Sequence, residues 1–290
     1  MDWKQVYVSE QEFKSFVEHH QPIEVDGVYG NEGVEVHCPT LGKMVNAVYD
    51  VSIGAIRHMN ANNPVFSSMP NRDILLYNDF LLNPDINTIV VDGFFGTGKT
   101  STLSSHLVAG ILGKTISSAF ISKPHTPLGK TNGHLPGDIY DKTVLEFQSF
   151  TQYFDRFGHP LLAQKLMGRV PDGVTGKPIE PVLHLLVFEY LRGLDIDEGW
   201  VVLDEAQNTT VGEMASFISR VGDKAKLIII GDSTYTQIDR RENTEENNGL
   251  IFAKRLFAGK SYAGIVELRT VKHILRGNRV RDLLLALKGR

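Results

Sequence analysis

Ile86-Asn87-Thr88-Ile89-Val90-Val91-Asp92-Gly93-Phe94-Phe95-Gly96-Thr97-Gly98-Lys99-Thr100 decides the fold. The apolar run Ile86–Val91 has the length of a buried strand. It ends at a glycine-rich octet, and Thr100–Leu112 then shows helical periodicity. Gly93, Gly96 and Gly98 let the backbone turn so that successive N–H groups, those of Phe94, Phe95 and Thr97 included, converge on an anion. The helix that follows adds the positive end of its dipole. Lys99 then faces β- and γ-phosphates, and the Thr100 hydroxyl is suited to Mg²⁺. The spacing predicts a phosphate-gripping loop of the kind found in P-loop nucleoside triphosphatases, with Ser101 on the first helical turn also in the nucleotide-binding set. A glycine-rich turn that binds nothing is the bland alternative, and the strand-loop-helix context weighs against it.

Such a loop needs a second carboxylate near Mg²⁺ and a group to handle water. Trp200-Val201-Val202-Leu203 reads as a strand ending in Asp204-Glu205-Ala206-Gln207. Asp204 is expected to hold Mg²⁺ and Glu205 to polarise the attacking water. Adjacent acids alone would read equally well as solvated surface. A third strand, Leu227–Ile230, ends in Gly231-Asp232, and Gln237 beyond it is a candidate γ-phosphate sensor, against the alternative of a solvated turn.

Further strands are expected at Ser118–Ile121 and Tyr262–Leu268, and helices over residues 137–157, 181–192 and 210–221, the last opened by a Thr210/Glu213 capping box. A closing helix carries Val280, Leu283, Leu284 and Leu287. Strands alternating with helices imply an α/β fold with a mainly parallel sheet covered on both faces. Residues 1–70 read as a separate α+β extension, leaving 71–290 as the main domain. The extension has a Ser9/Glu12 capping box, a hairpin across Ile23–Val36 and a connection at Asn60–Pro70.

With 30 basic and 34 acidic residues the chain is mildly acidic, which excludes a uniformly cationic nucleic-acid binder but not a basic patch. Cys38 is the one cysteine, so no intrachain disulfide forms and a reducing, cytoplasmic setting is expected. His37-Cys38 without a second ligand pair is a poor zinc signal. The Asn208-Thr209-Thr210 sequon carries no weight in a cytosolic protein. Neither a secretory leader nor a membrane-length apolar run is seen.

These motifs resemble the PhoH family of P-loop ATPases. Gly93–Thr100, Leu135-Pro136-Gly137-Asp138, Leu191-Arg192-Gly193, Asp204-Glu205-Ala206-Gln207-Asn208-Thr209-Thr210 and Gly231-Asp232 with Gln237-Ile238-Asp239 follow in family order over roughly residues 71–285. The resemblance implies a RecA-like core, Mg²⁺-dependent ATP hydrolysis, hexameric ring assembly and links to RNA. It makes Lys99, Glu205, Gln207, Gln237 and Arg276 the catalytic set, with Thr100 and Asp204 at the metal. Arg276 is implied to be an arginine finger offered across a subunit boundary. Lys123-Pro124 stands where the family has Arg-Pro.

Three departures matter. The segment after Gly231-Asp232 is lengthened before Gln237. Met69-Pro70-Asn71-Arg72-Asp73 replaces the adenine-reading glutamine, leaving Arg72 as the nucleotide-contact candidate there. Residues 1–70 match nothing in the family, and there is no room for the nuclease domain of longer members. This pattern suits a phage-encoded member working in the host cytoplasm.

Seven Lys/Arg in the last 22 residues (269, 272, 276, 279, 281, 288, 290) make the C-terminus locally positive. That suits a phosphate-backbone contact, an arginine finger or simply a solvated helix face. His125, Lys130 and His134 are further candidates for single-strand contact. Phe147, Phe150, Tyr153, Phe154 and Phe157 are spaced as helix core rather than as a stacking platform. Three functions fit: a motor on single-stranded RNA or DNA, an ATP-driven oligomeric switch on a protein partner, and a small-molecule kinase. Glu205 counts against the last.

Overall fold

The computed structural model describes residues 3–27, 30–63, 71–124, 146–171, 176–177, 179–188 and 193–288. The expected contacts at His125, Lys130, His134, Leu135–Asp138 and Leu191-Arg192 lie outside the described residues.

The N-terminal part opens with strand β1 (Lys4–Tyr7) and helix α1 (Glu10–His19), whose Ser9/Glu12 capping box is formed. Strands β2 (Ile23–Glu24), β3 (Glu32–Cys38), β4 (Lys43–Asp50) and β5 (Ala55–Arg57) complete a five-stranded sheet of order β1-β3-β4-β5-β2. The hairpin expected across Ile23–Val36 does not form. Strand β2 pairs antiparallel with β5, while β3 pairs with β1 and β4. The tight reversal is instead Pro39–Gly42, where Gly42 adopts φ 60°. Phe13 and Phe16 of α1 cover Val34, Val36, Cys38, Ala47 and Ile56 of this sheet. Cys38 is thus a buried strand residue, and His37 pairs with Glu35.

Helix α2 (Arg72–Leu82) follows the connection expected at Asn60–Pro70, in a stretch given no element from sequence; Asn71 caps it by accepting the N–H groups of Asp73 and Ile74. Strand β6 (Thr88–Gly93), helix α3 (Lys99–Leu112), strand β7 (Ala119–Lys123) and helices α4 (Gln148–Phe157) and α5 (Leu162–Leu166) follow. Residues 183–187 then depart from expectation. They form strand β8 (Leu183–Val187), parallel to β7, rather than part of a helix. A five-residue apolar run fits either state by periodicity; here it gains a neighbour's ladder. Strand β9 (Trp200–Leu203), helix α6 (Val211–Ile218) with its Thr210/Glu213 box, strand β10 (Lys226–Gly231), helix α7 (Gly249–Phe257), strand β11 (Ala263–Leu268) and helix α8 (Asn278–Lys288) complete the chain.

The second sheet is six-stranded, order β11-β6-β10-β9-β7-β8, and its described pairings are all parallel. Its strands feed two cores in alternation. Ile89, Val91, Val202, Ile228 and Ile230 join the core beneath α2, α3 and α4; Val90, Val201, Leu203, Leu227 and Ile229 join the one beneath α6 and α7. The smaller sheet is fastened to this unit by polar contacts. Asn31 Nδ2 donates to the carbonyls of Ser261 (2.8 Å) and Ala263 (3.0 Å), and Arg57 joins Asp50 to the buried Asp79 of α2. Among the described residues no helix is long and apolar enough to cross a membrane.

Candidate active site

Parallel strands present all their carboxyl ends on one edge, which is where open α/β sheets bind ligands. At that edge stand Gly93 of β6, Lys123 of β7, Asp204-Glu205 after β9 and Asp232 after β10. Strand β10 separates the loop strand β6 from the acid strand β9. A cleft of about 620 Å³ opens between them, a size suited to a nucleotide-sized ligand. Its lining includes Phe95, Gly96, Gly98, Lys99, Thr100 and Ser101, together with Asp204, Glu205, Asp232 and Gln237.

The loop's shape depends on its glycines. Gly96 and Gly98 hold φ of 80° and 99°, a region costly for L side chains, and a Cβ on Gly93 would lie 2.5 Å from that of Leu268. Phe94 fixes the loop from below with Ile274 and Leu284, while Thr97 Oγ1 donates to the Phe94 carbonyl. The Lys99 ammonium lies in the concavity, donating to the carbonyls of Gly93 (2.5 Å) and Phe94 (2.9 Å). Burial pulls its pKa down, and the nearby acids Asp232, Glu205, Asp204 and Asp92 pull the other way.

The acidic side is short of cations. Burial, then the adjacent Asp204, pushes Glu205 above the usual carboxylate range, and burial does the same to Asp232. Lys123 Nζ stands 3.3 Å from Asp204. Burial would lower the lysine's pKa, but Asp204 and Glu205 outweigh it and hold it raised. Oxygen donors Thr100 and Asp204 on one cleft, with charge to be neutralised beside them, fit a hard cation such as Mg²⁺, which takes few protein ligands and completes its shell with water and phosphate.

Gln207 lies behind the cleft rather than in it. Fully buried, it donates both amide hydrogens, to Glu205 Oε2 (2.6 Å) and the Gln237 carbonyl (3.0 Å), and accepts the Asp232 N–H (3.0 Å). The resemblance implied a member of the catalytic set in contact with phosphate or water; instead the polar atoms of Gln207 are spent on aligning Glu205 with two neighbouring turns. The rest of the acid motif does similar work. Asn208 exchanges hydrogen bonds with Asp239, and Asn243 donates to the carbonyls of Gln207 and Thr209. The lengthened segment still brings Gln237 to the cleft wall.

Arg72 is not at the site. Its guanidinium pairs with Glu35 and lies over the Trp3 ring, fastening α2 to the N-terminal sheet, because helix α2 turns its first residue that way. Arg276 does line the cleft, but that of its own chain. The N–H groups of Leu275 and Arg276 donate to Gly96 O at 2.8 and 3.2 Å, seating this segment on the loop. Arg269, counted in the basic C-terminus, is held by Asp92 and Ser233. Lys123, Asp232, Tyr153, Arg156 and Phe157 line the cleft without having been assigned a site role from sequence. For the last three the available signal was the 153, 156, 157 spacing on one helix face.

The profile of the family described as PhoH-like protein matches residues 76–288. The chain belongs to the PhoH-like family. Protein PhoH2 of Bacillus subtilis (strain 168) is 30% identical over 196 residues, covering 66% of this chain and 41% of that protein. Protein PhoH of Escherichia coli (strain K12) is 29% identical over 152 residues, covering 52% of this chain and 40% of its own length. The matched part is thus under half of either relative. Among solved structures, the Sulfolobus solfataricus SWI2/SNF2 ATPase core in complex with double-stranded DNA aligns over 79% of this chain and 45% of its own, with a TM-score of 0.36 and 12% identity. Arterivirus nonstructural protein 10, a helicase bound to DNA, covers 86% and 51% with a TM-score of 0.31 and 14% identity. The fold class rests on the parallel sheet itself: an α/β P-loop core, as expected.

Proposed function

We propose that this PhoH-like protein hydrolyses ATP or a related nucleoside triphosphate with Mg²⁺. The observation that carries this reading is the shared cleft of Lys99, Thr100, Asp204 and Glu205. Bound Mg²⁺ would supply charge neutralisation at the phosphates. Lys99 and the remaining loop N–H groups hold the triphosphate; contrary to expectation the Phe94 N–H is spent on the Leu268 carbonyl (3.1 Å) and the Phe95 N–H on Asp232 Oδ2 (3.0 Å). Gln207 orients Glu205, whose carboxylate takes the proton of the attacking water as the bond between the γ-phosphorus and the bridging oxygen breaks, leaving diphosphate nucleotide and phosphate. Gln237 senses the departing phosphate, and its carbonyl bond to Gln207 links that event to the acid turn. The absence of the adenine-reading glutamine, with Arg72 turned away, supports relaxed base preference.

Single-stranded RNA or DNA is the polymer we favour as partner, supported by the exposed Lys272, Arg276 and Arg279 in the segment seated on the loop. Assembly into a ring is tested by solution mass with and without nucleotide. Phosphate release from ATP, without acceptor and with or without single-stranded RNA, tests the whole reading. Lys99→Ala should abolish it; undiminished release by that variant would sink the site assignment.

A further inference from the structure

Helix α4 has two faces with different company. Phe147, just before its first residue, Phe150 and Phe154 are fully buried in the core shared with α3. Ser149, Tyr153, Arg156 and Phe157, at spacing i, i+4, i+7, i+8, instead line the cleft. The Tyr153 and Phe157 rings stack with centroids 5.5 Å apart and planes 17° from parallel. The aromatic run is therefore divided between core and cleft.

Sheet order fixes which end of the cleft this helix serves. Glu146, two residues ahead of α4, is close enough to Lys123 for its charge to be felt there, and Lys123 in turn pairs with Asp204. Helix α4 therefore covers the β7–β9 side, where the acid pair lies. Arg276 reaches Gly96 from beyond β11, on the other side of the loop strand. Arg156 is exposed, and among the described residues its guanidinium has no hydrogen-bond or ion-pair partner.

We propose that Arg156 contacts the terminal phosphate of the bound nucleotide, supplied by the chain's own α4, with the Tyr153–Phe157 stack fixing that helix face against the cleft. This rests on the nucleotide-hydrolase reading above. A cation in the last turn of a helix also complements the helix dipole, for about 0.3–1 kcal/mol. That role requires no cleft and makes no distinction between nucleotides. A guanidinium aimed at a terminal phosphate does distinguish them, because its planar donors match phosphate oxygens that a diphosphate lacks.

The full-length protein is compared with Arg156→Ala and Arg156→Lys. Equilibrium binding of fluorescent ADP and of a non-hydrolysable ATP analogue is measured beside steady-state phosphate release. For Arg156→Ala, Kd for the triphosphate analogue should rise about 10-fold while that for ADP stays within about 2-fold. The kcat should fall by about 10-fold or more, and Arg156→Lys should recover part of the triphosphate affinity. Equal shifts for both nucleotides, or none, overturn the assignment. So does a variant altered only in stimulation by single-stranded RNA, since the phosphate would then be the polymer's. If the unmodified protein binds neither nucleotide, the hydrolase reading itself has failed; if it binds and turns over while Arg156→Ala matches it, only the Arg156 inference has.

Discussion

Replacing Gln207 by alanine should damage stability and chemistry together, and the size of each effect follows from its partners. The Asp232 N–H is buried and loses its only acceptor shown among the described residues, which costs about 1–3 kcal/mol. The bonds to the Gln237 carbonyl and to Glu205 border the cleft, where water can replace them. Their loss is therefore net, about 0.5–1.5 kcal/mol for the first and about 1.5 kcal/mol or more for the second, which is to a carboxylate. Together these give about 3–6 kcal/mol, a large part of a typical domain's stability. Urea denaturation at constant slope measures it. Because the amide donor lowers the pKa of Glu205 against burial and Asp204, its removal pushes that carboxyl higher still. The acidic limb of the rate profile should then move to higher pH. A stability loss under about 1 kcal/mol with an unmoved limb would refute the positioning role.

Glu205→Gln should bind ATP normally yet hydrolyse it at least about 100-fold more slowly, read as single-turnover phosphate release; a normal rate excludes Glu205 as the base. Arg276→Ala should slow hydrolysis with little loss of nucleotide affinity, and mixing it with Glu205→Gln should restore nothing if each chain uses its own arginine; regained activity would instead show exchange between subunits. Burial brings Lys226 down to about 7, so between pH 7 and about 10 the unfolded chain holds the extra proton and stability should rise with pH. From pH 7 to 9 this group contributes about 2 kcal/mol, and Lys226→Met should remove that slope in urea titrations at several pH values.

The phosphate loop and the acid strand were legible because each is a short apolar run abutting residues with one plausible chemistry. Their neighbours were less so. Strand β8 was hidden because Leu183–Val187 has no periodicity of its own; its state is decided by pairing with β7. Helix α2 was masked by the Asn and Pro residues that precede it, although Asn71 proves to be its cap. Gln207 and Arg72 were misplaced for a different reason. Motif position names a residue near the phosphates but not the direction of its side chain, and direction depends on the contacts of sheets far apart in sequence. The Arg72–Glu35 pair joins two such parts. The sharing of the 147–157 aromatics between core and cleft likewise depends on where α3 packs.

Charge at the sheet's carboxyl edge separates scaffold from chemistry. Asp92, one residue before the loop, is fully buried, and burial alone would raise its pKa. Lys254 (2.9 Å) and Arg269 (2.8 Å) outweigh this and hold it below the usual range. It is therefore a permanent anion, further bonded to Ser233, and removing either cation would leave a poorly compensated charge in the core. Asp232 and Glu205, at the ends of neighbouring strands, are shifted the opposite way because burial outweighs the cations near them. Carboxylates pushed apart in this manner divide by role: the one paired with two cations holds strands β6 and β11 and helix α7 together, and the two that have hydrogen bonds but too little positive charge face the cleft where a metal and phosphates would complete the balance. Since Ser233 directly follows Asp232, and Arg269 opens the segment that reaches Gly96 through Arg276, the same buried anion joins the turn after β10 to the arginine-bearing segment.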